Sequence, residues 1–305
     1  MERIHGIIPA VFTPLQADGK PDLPQIKPLT DFLIAEKTAA FYVCGSTGEG
    51  PLLTTEERQR VTESYVDAVG GRVPVIVQVG HNSTREACAL AVHAAQTGAD
   101  AISAVPPHYF KLDSLSKLIA CMAEIAGAAP DLPFYYYHIP GITGVNFDMA
   151  AFLIEGQKSI PNLRGIKYST FTVFEMQHCI EIENRRFELL FGSDEMLLSA
   201  LVAGAEGAVG TTYNFAAPLF NSIINAFKAG DLGKARTLQY NAVKMVRVLY
   251  EYGGLAAMKA TMALIGMDCG SILLPHQNLA PDAVDALKND LDAIGFFSWG
   301  RHQNE

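Results

Sequence analysis

The sequence lacks any cysteine pair that would announce a disulfide or a redox centre. Its five cysteines, Cys44, Cys88, Cys121, Cys179 and Cys269, are an odd number, widely spaced and without a Cys-x-x-Cys motif. Reduced thiols in a cytoplasmic protein are the expectation. Cys44 alone stands beside a motif, and a small buried apolar residue is its reading. Basic runs of five or more residues are also missing, and 23 Lys and Arg against 32 Asp and Glu leave a formal net charge of −9. That balance argues against nucleic acid or an anionic membrane as a partner. No uninterrupted apolar stretch reaches the roughly 18 residues of a membrane span. The start, Met1-Glu2-Arg3-Ile4-His5-Gly6, is too polar for a signal peptide. A soluble protein is expected, and Asn82-Ser83-Thr84 then reads as a chance match to a glycosylation sequon.

Patterns for several chemistries are absent too. The eight histidines show no His-x-His or His-x-x-x-His spacing, so each reads as surface or core, and no metal is expected. A Gly-x-Ser-x-Gly elbow, the signature of many serine hydrolases, does not occur. Neither does the Gly-x-Gly-x-x-Gly turn that a doubly wound dinucleotide-binding sheet would place after an early strand.

What is present is a regular alternation. Apolar residues make up 49% of the chain and charged ones 18%, which permits a large core. Short apolar runs at residues 6–11, 39–43, 74–79, 101–105, 134–137, 163–167, 188–191 and 207–211 are separated by helical patterns. Eight strands alternating with helices predict an α/β fold, a (β/α)8 TIM barrel, over residues 1–215. Thr54-Thr55-Glu56-Glu57 reads as a capping box opening an amphipathic run through Val61, Tyr65 and Val69, which Gly70-Gly71 stops. Pro28, inside an otherwise helical stretch, implies a kink or a late helix start. Strands then cease, and residues 217–229, 232–252, 255–265 and 281–294 read as helices of a C-terminal extension over 216–305, packed on the barrel.

Chemistry in such barrels gathers at the C-terminal ends of the strands. The run Leu163-Arg164-Gly165-Ile166-Lys167 places a lysine there. Read alone, Lys167 fits either a strand-end lysine snorkelling to solvent or a buried amine whose lowered pKa suits attack on a carbonyl. Tyr137 ends strand 5, one strand earlier, within reach of the same centre as a proton donor and acceptor. Gly45-Ser46-Thr47-Gly48-Glu49, after strand 2, has glycines flanking two hydroxyls. That suits either a small carboxylate held on backbone N–H groups or an ordinary βα turn. Asp194, in Gly192-Ser193-Asp194-Glu195 after strand 7, is either a helix cap or a hydroxyl-recognising group. Gly210-Thr211-Thr212-Tyr213 follows strand 8, and Pro107-His108-Tyr109 follows strand 4.

The glycine-flanked Ser46-Thr47 loop, the Tyr137-His138-Ile139-Pro140-Gly141-Ile142-Thr143-Gly144 segment and the Gly-Ile-Lys strand together resemble the pyruvate-dependent class I aldolase superfamily of N-acetylneuraminate lyases and dihydrodipicolinate synthases. The likeness covers essentially the whole chain. Ile142 stands where the synthases carry a substrate-binding arginine, so the resemblance is to the lyase form. It implies an imine on Lys167, Tyr137 as the proton carrier, and Ser46 and Thr47 as the carboxylate site. It further implies that Ser169, Gly192, Asp194, Glu195 and Thr211 hold a polyhydroxyl tail, with threonine at 211 where serine is common. By the same analogy Tyr109 reaches Thr47 of a neighbouring subunit in a homotetramer. No cofactor is implied beyond the lysine imine. The same residues would serve a related aldolase acting on a 2-keto-3-deoxy sugar acid or another aldehyde, and a non-catalytic keto-acid-binding barrel is a third expectation.

Overall fold

The computed structural model describes residues 2–299; His302 and the last residues of the expected extension lie outside them. The strands are β1 (Gly6–Pro9), β2 (Phe41–Val43), β3 (Val75–Gln78), β4 (Ala101–Ala104), β5 (Phe134–His138), β6 (Leu163–Tyr168), β7 (Glu188–Phe191) and β8 (Gly207–Gly210). All are parallel, in the order β1-β8-β7-β6-β5-β4-β3-β2. The sheet's two ends meet where the Val11 N–H donates to the Tyr42 carbonyl at 3.0 Å and the Ala39 N–H to the Ile7 carbonyl at 2.8 Å. The result is the expected (β/α)8 barrel with further helices at its C-terminus.

Period-two alternation sorts the side chains. Tyr42 points into the barrel with Ile8, Ile76, Tyr135, Tyr137 and Leu190, while Phe41, Val43, Phe134 and Tyr136 face the helices. Both faces of each strand are buried, which is why the strands read as continuous apolar runs. Glu188, at the N-terminal end of β7, closes the barrel floor. Its carboxylate accepts from the Ile4 N–H at 2.7 Å, the Tyr135 hydroxyl at 3.1 Å and Arg164 Nε at 3.0 Å.

Local signals place the helices. Thr54 caps Thr55–Val69 and Glu57 returns the bond, and Gly70 ends the helix in a left-handed conformation. A 3-10 turn at Leu23–Gln25 precedes the helix Ile26–Ala35, so Pro28 falls in a first turn whose N–H groups have no intrahelical partner. This is the late start the proline implied. The helix expected at 217–229 instead runs Tyr213–Lys228, across residues 215 and 216. It tolerates Pro218 because Ala216 departs from helical geometry (φ −132°, ψ 22°). Asn214 anchors its start by donating to the Ala10 carbonyl at 2.7 Å. Helices Leu232–Glu251, Leu255–Leu264 and Pro281–Ala293 complete the C-terminal part. Among the described residues no helix is long and apolar enough to cross a membrane.

Candidate active site

A cavity of about 460 Å³ opens at the C-terminal ends of the strands. Lys167 stands on its wall, directly in register with Tyr137 across β5 and β6. The lysine is 3% exposed. Its ammonium lies 3.7 Å from the ring centroid of Tyr42 and 4.0 Å from that of Tyr137. Burial pushes its pKa down to about 7, against the upward pull of the Asp194 carboxylate. The snorkelling alternative fails, since the side chain ends in the barrel rather than in water.

Burial likewise raises the Tyr137 pKa, while the hydroxyls of Ser46 and Ser169 beside the phenol work the other way. Tyr137 is therefore a neutral phenol at the lysine's side, linked to hydroxyls that can carry a proton. Asp194 is buried and its pKa rises to about 6, chiefly from desolvation and opposed by the bonds from Thr212. Those bonds come from the Thr212 N–H at 2.8 Å and the Thr212 hydroxyl at 2.6 Å. The carboxylate is thus committed across to the β8 loop rather than capping its own helix. Gly210 makes room for it, since a Cβ there would stand 1.8 Å from Asp194 Oδ1.

The Ser46-Thr47 loop is pinned from both sides. Cys44 (φ 58°) and Glu49 (φ 55°) take left-handed conformations at its ends. The Thr13 hydroxyl donates to the Gly48 carbonyl at 2.7 Å. Glu49 is fully buried and pairs with Lys259 Nζ at 2.7 Å, and its other oxygen accepts from the Leu273 N–H at 2.6 Å. This bends the backbone around Ser46 and Thr47 and fixes it, as an anion-binding turn requires. The Thr47 hydroxyl shares a hydrogen bond of 2.6 Å with that of Thr211. Cys44 is the buried filler its position suggested, its thiol pushed up by burial.

The cavity brings together Ser46, Thr47, Tyr137, Lys167, Ser169, Gly192, Asp194, Glu195 and Thr211, nine of the ten residues singled out in the sequence. Tyr109 is the exception. It is 77% exposed, stacked edge-to-face on Phe110 at 5.1 Å and outside this chain's cavity. Asn82, the sequon residue, holds its loop by accepting from the backbone N–H groups of His108 and Tyr109 at 3.0 Å each. The wall also includes Ile139, Ile142 and Phe171, and Val246, Tyr250, Leu255, Met258 and His276 from the C-terminal helices and their loop. Sequence reasoning missed the last five because nothing local marks a helix residue as facing a distant barrel mouth. Tyr42 was missed because Phe41-Tyr42-Val43 reads as core; its period-two position was the available signal. Among the described residues no group of three or more His, Cys, Asp and Glu is placed to hold a metal ion.

Comparison with known proteins agrees with this geometry. The N-acetylneuraminate lyase of Rattus norvegicus is 36% identical over 303 residues, covering 98% of this chain and 95% of that protein. N-acetylneuraminate lyase A of Xenopus laevis is 38% identical over 295 residues, covering 95% and 96%. Among solved structures, the N-acetylneuraminate lyase (sialic acid aldolase) of Aliivibrio salmonicida superposes with a TM-score of 0.94 at 38% identity, over 97% of this chain and 98% of that one. With the dihydrodipicolinate synthetase family matched over residues 3–294, the barrel, its buried strand-end lysine and these relatives establish that the chain belongs to that family and is a carbon–carbon lyase of the class I aldolase type.

Proposed function

We propose that the protein is a Schiff-base aldolase that reversibly cleaves N-acetylneuraminate to N-acetylmannosamine and pyruvate. The observation that carries this reading is the buried Lys167, held beside Tyr137 in a cavity also lined by carboxylates and hydroxyls. Relatives named for that reaction over nearly the full length of the chain support it.

The mechanism follows from the groups present. The substrate carboxylate rests on the Ser46-Thr47 turn, which presents its C2 ketone to Lys167. The neutral amine adds to C2, and the Tyr137 phenol gives its proton to the departing hydroxyl, so that water leaves and a protonated imine and a Tyr137 phenolate remain. As the C3–C4 bond breaks, its electrons pass into the imine to give an enamine, and the Tyr137 phenolate takes the C4 hydroxyl proton, relayed by the substrate carboxylate, which restores the phenol. N-acetylmannosamine departs, C3 is reprotonated, and water releases pyruvate from Lys167. Ser169, Gly192, Asp194, Glu195 and Thr211 hold the polyhydroxyl tail. The lysine imine is the only prosthetic chemistry required.

The same reading places the active unit in a cytoplasmic homotetramer, where Tyr109 of one protomer reaches Thr47 of its neighbour. The exposure of Tyr109, away from its own chain's cavity, supports that role. Residues 1–215 then supply the chemistry, and the 216–305 extension contributes part of the wall.

Incubation with pyruvate and borohydride tests the chemistry independently of the sugar. A reduced pyruvyl adduct should map to Lys167 and be absent in Lys167→Ala. An unmodified Lys167 in the parent protein would overturn the Schiff-base reading.

A further inference from the structure

The face of Tyr42 has no role in the reaction as set out above, yet its ring centre lies nearer to the reacting nitrogen than that of Tyr137, at 3.7 Å against 4.0 Å. The two rings meet edge-on, with centroids 5.8 Å apart and planes inclined at 78°. Lys167 Nζ thus lies between two aromatic faces in different orientations. Nothing about Tyr42 suggests freedom to move away. Its hydroxyl donates to Ser103 Oγ at 3.0 Å on β4, and the ring is wholly buried. It also occupies space that a side chain at position 45 would need: a Cβ on Gly45 would come within 2.8 Å of Tyr42 Cε1. The first glycine of the carboxylate loop therefore admits this ring.

A tyrosine so placed is more than packing. Its hydroxyl is engaged elsewhere and points to a neighbouring strand, so what it offers the lysine is its π face. Such a face attracts cations, and more strongly where water is excluded. The nitrogen is neutral when it attacks and carries a full positive charge as the imine. An interaction that strengthens as that charge develops favours the intermediate over the ground state.

We infer that Tyr42 is a further catalytic residue, whose aromatic face stabilises the positive charge that forms on the Lys167 nitrogen as the imine is made. The inference rests on the Schiff-base reading and extends it by naming the group that faces the developing cation, since no carboxylate among the described residues lies at hydrogen-bond distance from Lys167 Nζ. Tyr137 supplies the second face and keeps its separate task of moving the proton.

The test replaces Tyr42 with phenylalanine and with mono-, di- and trifluorophenylalanine, which keep the shape of the ring while draining its face of electron density. The readout is the rate at which the borohydride-trapped pyruvate adduct forms on Lys167. It is taken at pH about 8.5, where the amine is already neutral and a change in its titration does not mask the effect. Tyr42→Phe should trap within about threefold of the parent, and the series should then slow steadily to about tenfold at trifluorophenylalanine. A merely structural ring would give a flat series, and that result would overturn the inference. So would complete loss of trapping in a folded Tyr42→Phe protein, since the function would then lie in the hydroxyl. Absence of an adduct in the parent is a different failure, which removes the Schiff-base reading itself.

Discussion

Burial brings the Lys167 pKa to about 7, which suits the attack on a carbonyl proposed for it near neutral pH. The rate of pyruvate trapping should therefore climb as pH rises through about 7 and level off above it; a rate already flat from pH 5 upward would contradict this. The same burial carries a stability cost. In the unfolded chain the lysine stays protonated up to about pH 10.4, so between its folded and unfolded pKa values the unfolded state binds the extra proton and folding is penalised. Lys167→Met should raise the denaturation midpoint at neutral pH while abolishing trapping. His138 has the related property on the outer face of β5. Burial lowers its pKa to about 4, and neither ring nitrogen has a hydrogen-bond partner. Below the unfolded value of about 6.5 the unfolded chain takes up a proton that the folded one refuses, so stability falls with pH until the folded value is passed. Relative to His138→Phe, the parent should lose about 2 kcal/mol of unfolding free energy between pH 7.5 and 5 in urea titrations. Equal losses in both proteins would count against it. The positions of Lys167 and Tyr137 at neighbouring strand ends were legible because each ends an apolar run, while burial of the lysine in the cavity was not, since a strand-end lysine can equally snorkel to solvent. Tyr42 was not, since a tyrosine inside such a run looks like core until the barrel closes around it.

At the scale of elements, the eight strands could be read from apolar runs because parallel strands buried on both faces leave that mark. Helix ends were legible where chemistry fixes them, as at Thr54 and Gly70, and less so at Tyr213–Lys228, where Pro218 hides four preceding helical residues until the kink at Ala216 is seen. The Glu49 link could not have been foreseen. It joins the Ser46-Thr47 loop to Lys259, 210 residues away in sequence. Breaking one side of this buried pair should cost about 3–5 kcal/mol, because the partner charge is left without compensation. Lys259→Met should therefore destabilise strongly, and Glu49→Gln with Lys259→Met together should recover much of that loss in chemical denaturation. Recovery of stability without recovery of the pyruvate KM would assign the pair to holding the Ser46-Thr47 turn. Additive losses in the double variant would show that the two residues are not coupled. Gly210→Ala belongs to the same scale. Its Cβ would displace the Asp194 carboxylate, and turnover of the sugar acid should fall at least about tenfold while pyruvate trapping persists.

For the whole molecule, the division of labour is between a barrel that supplies the lysine and tyrosine and C-terminal helices that complete the cavity with Val246, Tyr250 and Leu255. The exposed Tyr109 and Phe110 lie apart from this cavity. If Tyr109 serves a neighbour, Tyr109→Ala and Lys167→Ala proteins, each impaired, should regain activity when unfolded and refolded together, since hybrid assemblies contain sites with both residues. No gain on mixing would confine Tyr109 to its own chain. Substrate identity is also a property of the whole cavity rather than of any one residue, and the most direct measurement is pyruvate release from N-acetylneuraminate, coupled to lactate dehydrogenase, by the parent and by Lys167→Ala. Release by the parent alone is the predicted result. No release by a parent protein that still forms the borohydride-trapped adduct on Lys167 would contradict the assignment of N-acetylneuraminate and leave an aldolase for a different aldehyde.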